Sequence, residues 1–148
     1  MITSARPLLS RRDHAILTGI ATQGGLGSPA YFRQLLEKLQ NALVLEVEAI
    51  EPELATLGSL VRYRVNGGRA REHLLCLSPQ HTDRQQGLSI KSHRGLALLG
   101  MAEGQIFAAP ASDPEHPEAV ELEMVLFQPE ADGALVRCDY DSLQRHGT

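Results

Sequence analysis

The apolar residues of this chain change period once, and that change limits its fold more than any other feature. Up to about residue 43 they recur at helical spacing; from Leu60 onward they alternate or come in short runs bounded by glycine and proline. Ser10-Arg11-Arg12-Asp13 reads as a helix start, with the Ser10 hydroxyl placed to cap a free amide, and Ile16, Leu17 and Ile20 follow as an apolar stripe. Thr22-Gln23-Gly24-Gly25-Leu26-Gly27 interrupts that helix, since each glycine costs about 1 kcal/mol relative to alanine in a helix interior. Ser28-Pro29 restarts one, with Ser28 as cap and Pro29 at the first helical position, where its missing N–H does no harm. Phe32, Leu35, Leu36, Leu39 and Leu43 then mark one buried face. Two short helices around a glycine-rich turn predict an antiparallel hairpin.

Beyond Glu51-Pro52-Glu53, Leu60–Val65 alternates, with Arg62 and Arg64 on one side and Val61, Tyr63 and Val65 on the other. Asn66-Gly67-Gly68 is a hairpin turn whose residues tolerate positive φ, and 72–77 is the returning strand. The polar stretch 81–87 reads as a surface loop and 88–91 as a further short strand. Leu96-Ala97-Leu98-Leu99, closed by Gly100, predicts one or two buried helical turns. Residues 105–109 and 120–127 complete the sheet on either side of a proline- and acid-rich loop at 110–117, and residues 139–148 read as frayed. The fold class is therefore α+β, with a helical hairpin over 1–45 and a sheet domain over 46–148.

Composition narrows the function. The 148 residues carry a net charge of −4 with 43% hydrophobic residues, ordinary for a folded domain. An acidic pI of about 5.8 argues against a dedicated nucleic-acid binder. No apolar run reaches the ~18 residues of a membrane span, and the first 30 residues show no secretory pattern, so the expected location is the cytoplasm, with Cys76 and Cys138 as free thiols. Charge is unevenly spread. Arg6, Arg11, Arg12, Arg33 and Lys38 outnumber Asp13 and Glu37 in the first 45 residues, whereas 103–141 sets a run of Asp and Glu against Arg137 alone.

The stretch from Gly87 to Gln105, Gly-Leu-Ser-Ile-Lys-Ser-His-Arg-Gly-Leu-Ala-Leu-Leu-Gly-Met-Ala-Glu-Gly-Gln, resembles the C-terminal domain of the bacterial transcript-cleavage factors GreA and GreB. That family shows an Ile-Ser-Val-like strand, a Ser-Pro, a helix ending Ala-Leu-Leu-Gly and a Gly-Asp opening the next strand. Phe127-Gln128-Pro129-Glu130-Ala131-Asp132-Gly133 is similar to the ending of the Rnk-type relatives, named as regulators of nucleoside diphosphate kinase, and 57–63 looks like the family's first barrel strand. The similarity spans roughly residues 43–132. It implies an FKBP-like antiparallel half-barrel around a short helix, and RNA polymerase as partner, gripped near the rim of its secondary channel. The loop that implies contact corresponds to Lys91, Ser92, His93, Arg94 and Gly95. Ser92 matches the pattern, whereas His93 stands in place of proline, Arg94 in place of an apolar residue, and Gln105 in place of aspartate.

In the cleavage factors a long hairpin carries two acidic residues at its tip that help hold magnesium. Here Thr22–Ser28 contains no Asp or Glu, and a helix of about 13 residues spans only about 20 Å. The expectation is a regulator that docks without stimulating transcript cleavage. Histidines 14, 73, 81, 93, 116 and 146 show no metal-ligand spacing, and no nucleophile elbow is present. Too few aromatics remain outside the hairpin for a prolyl-isomerase pocket. No enzyme activity, cofactor or metal is therefore expected. A protein-binding module for a non-polymerase regulator is the alternative, and the apolar side of the short hairpin offers a surface for a homodimer.

Overall fold

The computed structural model describes residues 6–23, 28–78, 87–109 and 115–132. The glycine-rich turn at 24–27, the polar stretch 81–86, most of the proline- and acid-rich loop at 110–114, and residues 133–148 with Cys138 lie outside the described residues. A short strand, β1 (Leu8–Ser10), leads into helix α1 (Arg11–Gln23); helix α2 (Pro29–Asn41) leads into β2 (Leu43–Leu45). β1 and β2 pair in parallel, Leu8 with Leu43 and Ser10 with Leu45, so the two helices form the crossover that a parallel pair requires. Both helix starts are as the sequence predicts. Ser10 Oγ accepts from the Asp13 amide at 3.0 Å, and Ser28 Oγ accepts from the Tyr31 amide at 3.1 Å, with Pro29 in the first turn.

After a single 3-10 turn (Val47–Ala49) the chain enters β3 (Leu60–Val65), β4 (Arg71–Cys76), β5 (Gly87–Ser89), helix α3 (His93–Leu98), β6 (Ile106–Ala109) and β7 (Glu118–Phe127). The five strands lie in the order β5-β4-β3-β7-β6, with α3 packed against β5, β6 and β7. Helices and sheet together make an α+β fold. Asn66 and Gly67, at φ 55° and 69°, build the β3–β4 hairpin turn that the sequence predicts. On β3, Val61, Tyr63 and Val65 are buried. Its outward Arg62 reaches Glu72 on β4 at 2.9 and 2.8 Å, and Arg64 reaches Glu123 on β7 at 3.2 Å. The β3–β7 register shifts twice, between Leu60 and Val61 and between Arg62 and Tyr63, and such bulges bend a sheet and raise its local twist.

Two expectations require correction. The sheet is mixed and not antiparallel, because β5 runs parallel to β4, Leu74 opposite Gly87 and Cys76 opposite Ser89. Ten residues, 77 to 86, separate these strands, a reach of up to about 33 Å and more than the three-pair ladder requires for a parallel return, whereas a two-residue hairpin would have forced the antiparallel pairing. The buried face of α2 is also rotated. Tyr31, Gln34, Leu35 and Lys38 point inward, whereas Leu36 stays 37% exposed and Leu43, in β2 and not in the helix, 44% exposed. Of the predicted stripe only Leu35 is fully buried.

One apolar core takes side chains from every layer: Leu9, Leu17, Ile20, Tyr31 and Leu35 from the first half, and Val61, Leu75, Ile90, Leu96, Leu98, Val120 and Leu122 from the second. Fully burying each such aliphatic side chain stabilises the fold by roughly 1.5 to 3 kcal/mol. Cys76 is buried within this sheet, free and with its thiol pushed up by desolvation.

Candidate protein-docking site

Lys91 and Ser92 lead from β5 into the first turn of α3, which His93, Arg94 and Gly95 form, and all five are held by contacts within the chain, Lys91 through its amide to Ser89 Oγ at 3.0 Å. Ser92 is the N-cap of α3: its Oγ accepts from the Gly95 amide at 3.1 Å and donates to the Ser89 carbonyl at 2.6 Å. Gly95 lies so close to the preceding strand that a Cβ there would sit 2.0 Å from the Ser89 carbonyl oxygen. Arg94 reaches across to Glu118 at the start of β7 with a two-pronged contact, Nε at 2.8 Å and Nη2 at 2.7 Å. That hydrogen bonding holds the Glu118 carboxyl below its ordinary value and raises the Arg94 guanidinium. His93 is engaged by the hairpin, its ring 6.0 Å from that of Tyr31 in an edge-on arrangement and its Nδ1 3.2 Å from Gln34 Oε1. Lys91 alone of the five is exposed.

The hairpin meets this loop through a polar seam that periodicity did not reveal. Tyr31 Oη donates to the Ile90 carbonyl at 2.8 Å, Gln34 Nε2 to the His93 carbonyl at 3.1 Å, and Lys38 Nζ to the carbonyls of Ala97, at 3.3 Å, and Leu99. All three donors lie on one face of α2, and all four acceptors are backbone carbonyls before, at the start of, and at the end of α3. A six-residue helix leaves most of its carbonyls without an intrahelical partner, so buried donors are what this surface demands. Burial pushes the Tyr31 hydroxyl up to about 12 and the Lys38 amine down to about 7. The signal was present in the sequence as Tyr31, Gln34 and Lys38 at helical spacing, but a search for apolar residues alone passes over polar-tipped side chains.

At the base of the hairpin a second cluster fixes the orientation of α1. Asp13, buried beside Arg12, accepts from the Leu57 amide at 3.0 Å, and Arg12 donates to the Leu57 carbonyl at 2.7 Å. Glu130 accepts from Thr56 Oγ1 at 2.7 Å and lies 3.4 Å from Arg12. The neighbouring Gln128 is also buried: its Nε2 donates to the Glu51 and Leu54 carbonyls at 2.6 and 2.8 Å, and its Oε1 accepts from the Ala131 amide at 3.0 Å. The Gln128-Pro129-Glu130 segment therefore ties the last strand to the foot of the hairpin, and Asp13, one of the hairpin's two acids, is committed to that joint. Among the described residues no group of three or more His, Cys, Asp or Glu side chains is placed to hold a metal ion. No helix there is long and apolar enough to cross a membrane.

No protein-family model matches the chain, and no curated protein matches it in sequence. Solved structures do. The prokaryotic transcription elongation factor GreA/GreB from Nitrosomonas europaea is 25% identical at a TM-score of 0.62, the match covering 84% of this chain and all of that one. GreA factor homolog 1 (Gfh1) of Thermus thermophilus is 16% identical at 0.39, over 83% of this chain and all of that one. Gfh1 of Thermus aquaticus is 18% identical at 0.40, over 82% and 99%. In its fold, helical hairpin and sheet together, this chain is similar to a GreA/GreB-type transcription elongation factor.

Proposed function

We propose that this protein is a regulator of transcription elongation that binds RNA polymerase at the rim of the secondary channel and does not stimulate transcript cleavage. The observation that carries this reading is the likeness to the Nitrosomonas europaea factor, which extends over that entire chain. Under this reading the bulged sheet and α3 are the family's FKBP-like half-barrel, residues 46–148 are the docking domain, and residues 1–45 are the arm. The arm's two helices have 13 residues each, about 20 Å, and the sequence from Thr22 to Ser28 offers no carboxylate for a catalytic magnesium. A short arm together with the Gln128-Pro129-Glu130 joint is what favours the Rnk-type relatives. The protein acts in the cytoplasm by contact, with no catalytic residue of its own.

Docking runs through the Lys91–Gly95 loop, where Ser92 and Gly95 set the shape, Arg94 and His93 are half exposed, and Lys91 projects outward. A loop already ordered by internal hydrogen bonds loses little entropy on binding. The test is retention of the protein by immobilised core RNA polymerase. Wild-type protein is expected to be retained and Lys91→Glu to be retained less, since that change reverses an exposed charge without disturbing an internal bond. Absence of wild-type retention removes the reading in favour of a different regulatory partner. On stalled elongation complexes transcript cleavage should stay at background, and clear stimulation would overturn the tip argument.

A further inference from the structure

The chain has only two lysines, Lys38 and Lys91, and the fold treats them oppositely. Lys91 is exposed. Lys38 keeps 7% of its surface and lines a cavity of about 110 Å³ between α2, α3 and β6, walled also by Pro7, Ala97, Met101, Gln105 and Phe107. That volume exceeds one water and falls short of the roughly 150 Å³ hole that accepts benzene. Nζ has two protein acceptors, the carbonyls of Ala97 and Leu99. An ammonium carries three N–H donors, whereas a neutral amine carries two and a lone pair. Two carbonyls therefore match both N–H donors of the neutral amine and leave its lone pair over. Burial favours the same form, holding the amine near about 7.

The surroundings select what meets that lone pair. Among the described residues Glu37 is the one carboxylate lining the cavity, and the α3 carbonyls present their negative ends to Nζ, so an anionic ligand is disfavoured. A neutral, electron-poor carbon suits the site. As the lone pair adds to it the nitrogen becomes positive, and the two carbonyls already accepting its hydrogens stabilise that charge. We propose that this cavity binds small neutral aldehydes, of about three or four carbons, and that Lys38 Nζ condenses with them reversibly to an imine. The nitrogen lone pair forms the bond to the carbonyl carbon. The aldehyde oxygen departs as water with both N–H hydrogens, the C=N bond closes, and no oxidant or reductant is needed. The resulting imine nitrogen has no N–H left for Ala97 and Leu99, so occupation loosens the seam between hairpin and α3. The inference stands apart from the polymerase reading.

The test uses the unmodified full-length protein at pH 7 with propanal, each imine trapped by cyanoborohydride and located by peptide mass mapping. Lys38 is expected to gain the propyl group about tenfold or more faster than Lys91, because far more of it is free amine at that pH. The preference should disappear in urea, where both lysines are exposed. With 2-naphthaldehyde, too large for the cavity, the folded protein should be modified at Lys91 and not at Lys38. Labelling of Lys38 no faster than Lys91 in the folded protein would overturn the proposal, as would equal labelling of Lys38 by the two aldehydes.

Discussion

Gln34 of the hairpin and His93 at the start of α3 exchange two hydrogen bonds, Nε2 to the His93 carbonyl at 3.1 Å and Oε1 to Nδ1 at 3.2 Å. Both ends of the amide are used, so the imidazole must carry its proton on Nδ1 to complete the pair. Hairpin and α3 are thereby held in one relative orientation by a side chain that no apolar pattern would mark.

Replacing Gln34 with Leu keeps the volume and removes both bonds, leaving the His93 carbonyl without its side-chain donor. The expected loss in urea-unfolding free energy is about 1 to 3 kcal/mol. An unchanged midpoint would show that the seam adds nothing to stability.

Two glycine-to-alanine changes should move stability in opposite directions. At Gly95 the added methyl meets the Ser89 carbonyl oxygen at 2.0 Å, and the cost is expected to be about 3 kcal/mol or more, since backbone must shift. At Gly19, on the exposed side of α1 with nothing within 4 Å, alanine should stabilise by about 0.5 to 1 kcal/mol. Thermal melts of the two variants read the contrast directly.

Lys38 should make stability rise with pH above neutrality. Folded, its amine gives up a proton near about 7, against an ordinary 10.5, so between these values the unfolded chain binds more protons. The contribution is fully present above 10.5 and is lost as pH falls through the folded value. Urea titrations from pH 7.5 to 9.5 should show wild type gaining stability relative to Lys38→Met, by at most about 1.4 kcal/mol per pH unit. Parallel curves for the two proteins would contradict a depressed amine.

Arg94 and Glu118 are partly shielded and contact each other through two hydrogen bonds. A double-mutant cycle with Arg94→Ala and Glu118→Ala should return a coupling of about 1 kcal/mol at neutral pH. Because Arg94 holds the Glu118 carboxyl below its ordinary value, the coupling is complete above the normal carboxylate range. It disappears as pH falls through the lowered folded value. A coupling that persists in acid would mean that the pair is not held by charge.

Features set by a few neighbouring residues were legible. Ser10 and Ser28 cap the helices, Pro29 opens the second, Asn66-Gly67 turns the β-hairpin, and β3 buries Val61, Tyr63 and Val65 as its alternation requires. Each depends on backbone sterics or on a hydroxyl within three residues of its amide. The Lys91–Gly95 stretch was legible as a break between a strand and a short helix, and its arrangement was not: the Arg94 partner lies 24 residues away, and the His93 partner 59.

What the chain alone determined is the order of its parts, two capped helices followed by strands around a short helix, because hydrophobic period and turn chemistry act locally. Which face of α2 turns inward was decided only when α3 brought its unpaired carbonyls against it. Long side chains with apolar stems and donor tips, Tyr31, Gln34 and Lys38, then outcompeted Leu36 for the interior. The parallel pairing of β5 with β4 was settled the same way, since period two is identical for either direction and only the path between the strands distinguishes them.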